Sequence, residues 1–113
     1  NLSVIDTLDI VTILSILLDN AIEATLLTKR PILKFAFFHH NGYLVCIVEN
    51  STLQETVSRS DIFKKGYSTK GNSRGIGLTK VMEILDRYPN ASIQTRSSHY
   101  SFSQVIKLKE PTN

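Results

Sequence analysis

LLDNAIEA, at residues 17–24, lies inside a longer segment, from Asp6 to about Thr28, in which apolar residues recur every three to four positions. This spacing predicts an amphipathic α-helix. Asp6 is its expected N-cap, and Pro31 marks the point beyond which the helix cannot continue. Further apolar residues widen the apolar face, so we expect this helix to be packed on most of its sides.

The same helix carries a polar stripe. Its members recur three or four residues apart, with one more polar residue at the edge: Thr12, Ser15, Asp19, Glu23 and Asn20. Such a stripe faces either water or a ligand, and a solvated helix face is the simpler interpretation. Asn20 favours a ligand, because asparagine is a poor helix-interior residue whose amide needs partners when it is half-buried.

Two strands are predicted after this helix. Residues 32–40 and 43–49 are rich in aromatic and β-branched residues, and Asn41-Gly42 between them is a strong hairpin signal. Both faces of each strand carry apolar residues, so we expect helices or a second layer to cover much of the sheet. The second strand runs into Glu49 and Asn50, whose side chains can hydrogen-bond a base edge, although a strand meeting its loop explains them equally well.

A long segment without apolar periodicity follows, from Ser51 to Gly71. Its length inside a small domain indicates a functional loop, which we interpret as a mobile lid. Beyond it the pattern predicts a second helix, from about Gly75 to about Tyr88, and a final hairpin of residues 91–97 and 100–108. This order predicts an α+β sandwich, with one layer of helices on a mixed, mainly antiparallel sheet.

The composition fits one globular domain. The chain has 113 residues, of which 42% are apolar and 20% charged, and no apolar run reaches the length of a membrane span. The lone Cys46 cannot form an internal disulfide, so we expect a reducing compartment. The net charge of +3 matters less than a basic cluster at residues 59–80, which suits a nucleotide's phosphates better than nucleic acid, since no nucleic-acid-binding motif is visible.

RGIGL, at residues 74–78, opens the second helix directly after the basic loop. Glycines lack a Cβ and let a phosphate approach the backbone, and a helix N-terminus attracts anions. Lys70 and Arg74 would add charge-assisted contacts. A tight loop-to-helix turn also explains the glycines, and the segment follows a loop, which rules out a Rossmann or Walker motif.

Together, these segments resemble the GHKL superfamily, which includes gyrase-type and histidine-kinase ATPases. LLDNAIEA resembles its N box, VENST at residues 48–52 lies where its G1 box is expected, and FKKGYSTKGNSRGIGL at residues 63–78 resembles its F box, ATP lid and G2 box. The likeness spans about residues 8–108. Within the superfamily, the chain is most similar to the AgrC/ComD subgroup of peptide-pheromone receptor kinases. The resemblance implies the Bergerat fold, a two-layer α/β sandwich.

The resemblance also implies site residues. Asn20 matches the N-box residue that binds the Mg²⁺ bridging the ATP phosphates, and Asp19 and Glu23 would be catalytic neighbours that orient water or a partner histidine. Asn50, or else Glu49, would read adenine in place of the family's aspartate. The remaining implied ATP-binding residues belong to the F box, lid and G2 box: Phe63, Ser68, Thr69, Lys70, Arg74, Gly75, Gly77 and Leu78.

The implied function is that of a kinase module. Residues 1–113 would form a single ATP-binding domain, an N-terminally truncated piece of a larger membrane receptor kinase, on the cytoplasmic side. It would donate the γ-phosphate of ATP to a histidine on a separate dimerisation domain, and the full-length kinase would act on a response regulator in quorum sensing. We expect the fragment to be monomeric and not to bind nucleic acid.

Two departures from the family pattern leave an alternative open. Ile16 stands one helical turn before Asn20, where relatives have an asparagine or a catalytic glutamate, which implies weak intrinsic ATP hydrolysis. The G1 box also lacks its D-x-G-x-G form. A degenerate nucleotide-binding or docking module without kinase activity is therefore the alternative. His39, His40 and His99 fall in predicted strands or a turn, which favours ordinary strand residues over phosphoacceptors.

Overall fold

The computed structural model describes residues 5–57 and 73–110, with the side chains of residues 73–76 left aside. Two helices pack against one four-stranded sheet, which confirms the predicted α+β sandwich. The elements in chain order are α1 (Thr7–Leu26), β1 (Leu33–His40), β2 (Tyr43–Ser51), α2 (Ser73–Leu85), β3 (Ala91–Ser98) and β4 (Ser101–Lys109).

The sheet has the strand order β1-β2-β4-β3, with the two hairpins joined through β2 and β4. We expected a mixed sheet, but every strand pairing in the described ranges is antiparallel. Asn50 on β2 lies between Leu33 on β1 and Phe102 on β4, and Val48 lies opposite Gln104 on β4. The two central strands therefore bring the end of β2 beside the start of β4.

Both hairpins turn through left-handed backbone conformations. Asn41 has a φ of 51° and Gly42 a φ of 79°, as the predicted Asn-Gly turn requires. His99 and Tyr100 form the second turn, with φ values of 53° and 62°. The backbone N–H of Tyr100 donates to the carbonyl of Glu55 at 3.0 Å, so the segment after β2 supports this turn.

The core lies between the helix layer and one face of the sheet. α1 packs on β2 and on α2, which places the core-facing side chains of three elements in contact. Its fully buried members come from both helices and both central strands: Ile13, Cys46, Val81, Ile84 and Ile106. No helix in the described ranges is long and apolar enough to cross a membrane.

Two expectations about coverage are wrong. α1 is open along one side, where Leu8 and Leu26 are 76% and 72% exposed, so it is not packed on most sides. β1 is also largely uncovered, and Phe35 and Phe37 stay exposed. β1 is uncovered because α1 packs on β2 and against α2. It makes few contacts with the edge strand β1.

Element boundaries differ slightly from the expected ones. α2 begins at Ser73, two residues before Gly75, and β2 continues to Ser51, so that Asn50 belongs to the strand. Asp6 occupies the N-cap of α1, but its side chain makes no capping hydrogen bond, and its carbonyl accepts from the N–H of Ile10. The start of α1 is instead tied to the end of α2 through Tyr88.

Candidate functional site

A pocket opens between the helix layer and the sheet. Its lining combines apolar side chains with three amides drawn from α1, β2 and β4, and Leu78 from α2. The lining residues are Leu17, Asn20, Ala21, Val48, Asn50, Leu78, Phe102 and Gln104.

Asn20 is half-buried at one wall of the pocket, next to the first turns of α2. A Cβ built on Gly77 would lie 3.0 Å from Ile16 Cγ2 and 3.9 Å from Asn20 Nδ2. The missing side chain therefore lets the beginning of α2 approach α1 closely at Asn20. A helix N-terminus beside a half-buried amide is a suitable place for an anion, because the first N–H groups carry partial positive charge.

Asn50 is 3% exposed at the far end of β2. Its Nδ2 donates to the backbone carbonyl of Ser51 at 3.0 Å. Glu49, its neighbour, belongs to the opposite face of the sheet, since successive strand residues alternate. The Glu49 carboxylate lies 3.9 Å from Lys34 Nζ across the β1–β2 pair. The structure thus brings Asn50 into the pocket and leaves Glu49 outside it.

The other predicted residues that do not line the pocket divide into three groups. Asp19 is exposed and Glu23 half-buried on α1, and neither lines the pocket formed by the described residues. The lid interpretation and several predicted ATP-binding residues lie outside the described residues: Phe63, Ser68, Thr69, Lys70 and the side chain of Arg74. Gly75 falls in the first turn of α2.

Gln104 is a pocket residue that the sequence did not suggest. It is 4% exposed, lies opposite Thr95 on β3, and its Oε1 accepts a hydrogen bond from Thr95 Oγ1 at 2.6 Å. A signal was present, because Gln104 is in phase with Ile106 and Leu108 on the core-facing side of β4. A polar residue in a core-facing register needs a partner or a ligand.

The polar side chains of the pocket suit a hard cation that is bound mainly by oxygens of another ligand. Within residues 5–57 and 73–110, no group of three or more His, Cys, Asp or Glu side chains is arranged to hold a metal. Mg²⁺ does not need one, because it commonly binds one or two protein oxygens and completes its shell with phosphates and water. The side-chain amide of Asn20, which lies beside the start of α2, can supply one such oxygen.

The fold is a two-layer α/β sandwich with a pocket between its layers, and sequence comparison names its family. A family model described as the GHKL domain matches residues 5–109, so the chain belongs to the GHKL domain family. The sensor histidine kinase DcuS of Escherichia coli K12 is 31% identical over 98 residues, which cover 86% of this chain. The matched region spans 18% of the length of DcuS.

Solved structures share the fold. The nucleotide-free catalytic domain of the histidine kinase ThkA superposes with a TM-score of 0.72 at 22% identity, covering 94% of this chain and 69% of that one. The mycobacterial sensor histidine kinase MprB gives a TM-score of 0.71 at 11% identity, covering 96% and 74%. At these identities the likeness supports the architecture, and the chemistry must come from the site.

Proposed function

We propose that this chain is the ATP-binding catalytic domain of a sensor histidine kinase, which supplies the γ-phosphate of ATP to a histidine on a separate dimerisation domain. The observation that carries this proposal is the convergence of Asn20, Asn50 and the start of α2 on one pocket. These elements are far apart in sequence. The sensor kinase DcuS, similar over most of this chain, supports the same conclusion.

Each wall of the pocket has a proposed role. Asn50 at the buried end accepts a hydrogen bond from the exocyclic amine of adenine. Asn20 at the α1 wall supplies an oxygen to Mg²⁺, which when bound offsets the negative charge of the phosphates. The first turn of α2, with Gly75, faces the phosphates through backbone N–H groups, and Gly77 in the next turn lets this end of the helix approach Asn20. Ser68, Thr69, Lys70 and Arg74 would cover them from the lid, with Phe63 beneath it.

Transfer of the phosphoryl group requires positioning more than covalent help from this chain. Asp19 is exposed and Glu23 half-buried on α1, so a partner histidine approaching this face would meet both carboxylates. Ile16 packs beside Gly77 and offers no group to activate water. We therefore expect slow ATP hydrolysis and transfer that depends on the partner domain.

We extend the proposal to a subgroup of kinases and to a cellular setting. The N box and lid resemble AgrC/ComD pheromone receptor kinases, which suggests a peptide signal, a quorum-sensing response regulator and a membrane-anchored receptor with this domain on its cytoplasmic side. The domain by itself would be monomeric. A docking module with a degenerate nucleotide pocket is the second candidate, favoured by an uncharged amide at Asn50 where the family has a carboxylate.

A titration with a non-hydrolysable ATP analogue, with and without Mg²⁺, tests nucleotide binding. The parent chain should bind more tightly with Mg²⁺. Asn20→Ala should lose most of that gain, weakening Mg²⁺-dependent binding by about tenfold or more, or about 1.4 kcal/mol. Asn20→Asp keeps a metal-binding oxygen and should retain more of the gain.

Asn90→Ala is the matched control, because Asn90 is exposed in the turn before β3 and contributes its backbone carbonyl to Lys109. Its affinity should equal that of the parent. Far-UV circular dichroism and the unfolding midpoint should show that all variants fold. Equal affinity in the parent and Asn20→Ala, with and without Mg²⁺, would remove Asn20 from the site.

A further inference from the structure

Gln104 contributes a buried amide to the pocket wall that no part of the predicted site includes. It is 4% exposed on β4, in a position flanked by Val48 on β2 and Thr95 on β3. An amide costs free energy to bury unless its donor and acceptor groups are used. Thr95 engages only the oxygen of this amide, so the presence of Gln104 at the pocket points to a polar group on the ligand.

Thr95 aligns the Gln104 amide. Thr95 Oγ1 donates to Gln104 Oε1 at 2.6 Å, and Gln104 also lines the pocket. With the oxygen engaged by the hydroxyl, the hydrogen-bonding capacity that the amide brings to the pocket is the Nε2 donor. Thr95 can also accept, so it favours this orientation without forcing it.

Asn50 has its orientation fixed more firmly. Its Nδ2 donates to the carbonyl of Ser51, and a carbonyl can only accept, so a flipped amide would lose this bond. The group that Asn50 presents is therefore its Oδ1 acceptor. The buried end of the pocket thus combines an acceptor from β2 with a donor from β4.

We infer that Gln104 is a second base-reading residue, which donates from Nε2 to a ring nitrogen of adenine while Asn50 Oδ1 accepts from the exocyclic amine. This inference rests on the proposed function. Adenine carries an amine donor beside ring-nitrogen acceptors, whereas guanine carries a carbonyl acceptor at the amine's position. The Asn50–Gln104 pair matches adenine and opposes guanine without a carboxylate.

The alternative role for Gln104 is structural, as a hydrogen-bonded tie between β3 and β4. A change at Gln104 that lowers stability alone would not separate the two roles. The nucleotide must be altered together with the protein. 1-Deaza-ATP and 7-deaza-ATP each lack one of the two ring nitrogens beside the amine and keep the phosphates unchanged.

The experiment measures dissociation constants of ATP, GTP and both deaza analogues for the parent chain and for Gln104→Met, which keeps the side-chain length without an amide. In the parent, one deaza analogue should bind about three- to tenfold more weakly than ATP, the effect of one hydrogen bond. In Gln104→Met, ATP should weaken by a similar factor, and ATP and that analogue should bind equally. Gln94→Met, exposed on β3, is the matched control and should behave as the parent.

A Gln104→Met chain that separates ATP from the deaza analogue as strongly as the parent would overturn the inference, as would a parent that binds ATP and both analogues equally. Thr95→Val gives a second test if Gln104→Met does not fold. It removes the aligning hydroxyl and should shrink the difference between ATP and the analogue, and an unchanged difference contradicts the assignment. If the parent binds no ATP at all, the proposed function itself fails, which is a distinct result.

Discussion

Gly77 on α2 faces Ile16 on α1 so closely that a Cβ on the glycine would lie 3.0 Å from Ile16 Cγ2. Gly77→Ala should therefore push the start of α2 away from Asn20 and weaken binding of a Mg²⁺-ATP analogue severalfold. The free energy of unfolding should fall by no more than about 2 kcal/mol, because the packing strain of about 1–3 kcal/mol is partly offset by about 1 kcal/mol of better helix propensity. Calorimetric titration and chemical unfolding measure the two effects separately.

Gly42→Ala is the control for this prediction. Gly42 has a φ of 79° and no atom within 4 Å of its would-be Cβ, so alanine there strains the β1–β2 turn without touching the pocket. It should cost about 1–2 kcal/mol in the free energy of unfolding and leave nucleotide affinity unchanged. Unchanged affinity in Gly77→Ala would show that the close approach of the helices does not shape the site.

The base preference should depend on Asn50 and not on Glu49, since only Asn50 faces the pocket. Asn50→Ala should weaken ATP binding by about tenfold, with a smaller loss for GTP, because the lost hydrogen bond serves the adenine amine. Asn50→Asp should keep or strengthen the preference for ATP. Competition binding with ATP and GTP measures the affinity for each nucleotide and the preference between them.

Glu49→Ala is the control, because Glu49 lies near Lys34 on the other face of the sheet. Glu49→Ala should bind ATP and GTP with the same affinities as the parent chain. The reverse result, with a mild Asn50→Ala and a severe Glu49→Ala, would make Glu49 the adenine reader.

Local patterns pointed to the parts of the candidate site that depend on nearby residues. The helical repeat around Asn20, the Asn41-Gly42 turn and the glycines of α2 each act within a few positions of the chain, so the sequence carries their signals directly. Asn50 was suggested because a buried strand runs into it. These residues also carried the GHKL resemblance.

Features that depend on long-range placement were not predictable in the same way. The role of Gln104 depends on the register of β4 against β2 and β3, which brings Val48 and Thr95 to its sides. The exposure of Phe35 and Phe37 depends on where α1 lies across the sheet. A strand with apolar residues on both faces has the same kind of sequence pattern at the centre of a sheet and at its open edge.

Tyr88 ties the end of α2 to the start of α1. Its hydroxyl donates to the Asp9 carboxylate and accepts from the N–H of Asp6 at 3.2 Å, and Arg87 Nη1 lies 3.2 Å from Asp9 Oδ1. Tyr88→Phe should lower the free energy of unfolding by about 1 kcal/mol at neutral pH. Tyr100→Phe, at an exposed turn, should change it little. Equal stability of the parent and Tyr88→Phe would show that this network does not hold the helices.

The hydrogen bond between Tyr88 and Asp9 also predicts that the free energy of unfolding depends on pH. The hydrogen bond to Asp9, followed by burial, raises the pKa of Tyr88 above its usual value. Because the folded pKa is raised, the stabilisation is fully present below the unfolded pKa of about 10 and is lost as the pH rises through the folded value. The stability difference between the parent and Tyr88→Phe should therefore shrink at strongly alkaline pH, as measured by urea unfolding.

Cys46 should be nearly inert in the folded chain. Burial raises the pKa of its thiol to about 11, and the side chain is 2% exposed. Its reaction with a disulfide reagent at pH 8 should be roughly a hundredfold slower folded than in denaturant, because the thiolate reacts. The buried, neutral thiol of Cys46 contributes to the free energy of unfolding. This contribution is fully present below about pH 8.5 and is lost as the pH rises through about 11.

An exposed thiol supplies the control for this measurement. In a Cys46→Val/Ser98→Cys chain, the cysteine lies at an exposed position at the end of β3 and should react at similar rates folded and unfolded. Rapid labelling of Cys46 under native conditions would show that the sheet core opens far more often than its packing indicates.

The described chain offers no histidine in a helix that could accept a phosphoryl group. His39 and His40 belong to β1, as the sequence predicted, and His99 lies in the β3–β4 turn. Leu33, not His39, is aligned with Asn50, so His39 is six residues further along β1, or about 20 Å from the pocket end of the strand. His39 Nδ1 also contacts the Glu110 carboxylate.

We therefore expect the 113-residue chain to bind ATP without labelling itself from γ-labelled ATP. In-line transfer needs the acceptor placed against the γ-phosphate, and that placement supplies most of the rate. A helical dimerisation domain carrying a histidine, added in trans, should become labelled, and Asn20→Ala should abolish this transfer while the domain remains folded. Acid-labile label on His39, His40 or His99 of the chain alone would contradict this division of labour. ATP binding without transfer to any such domain would favour the docking module, because it would separate an intact nucleotide pocket from kinase chemistry.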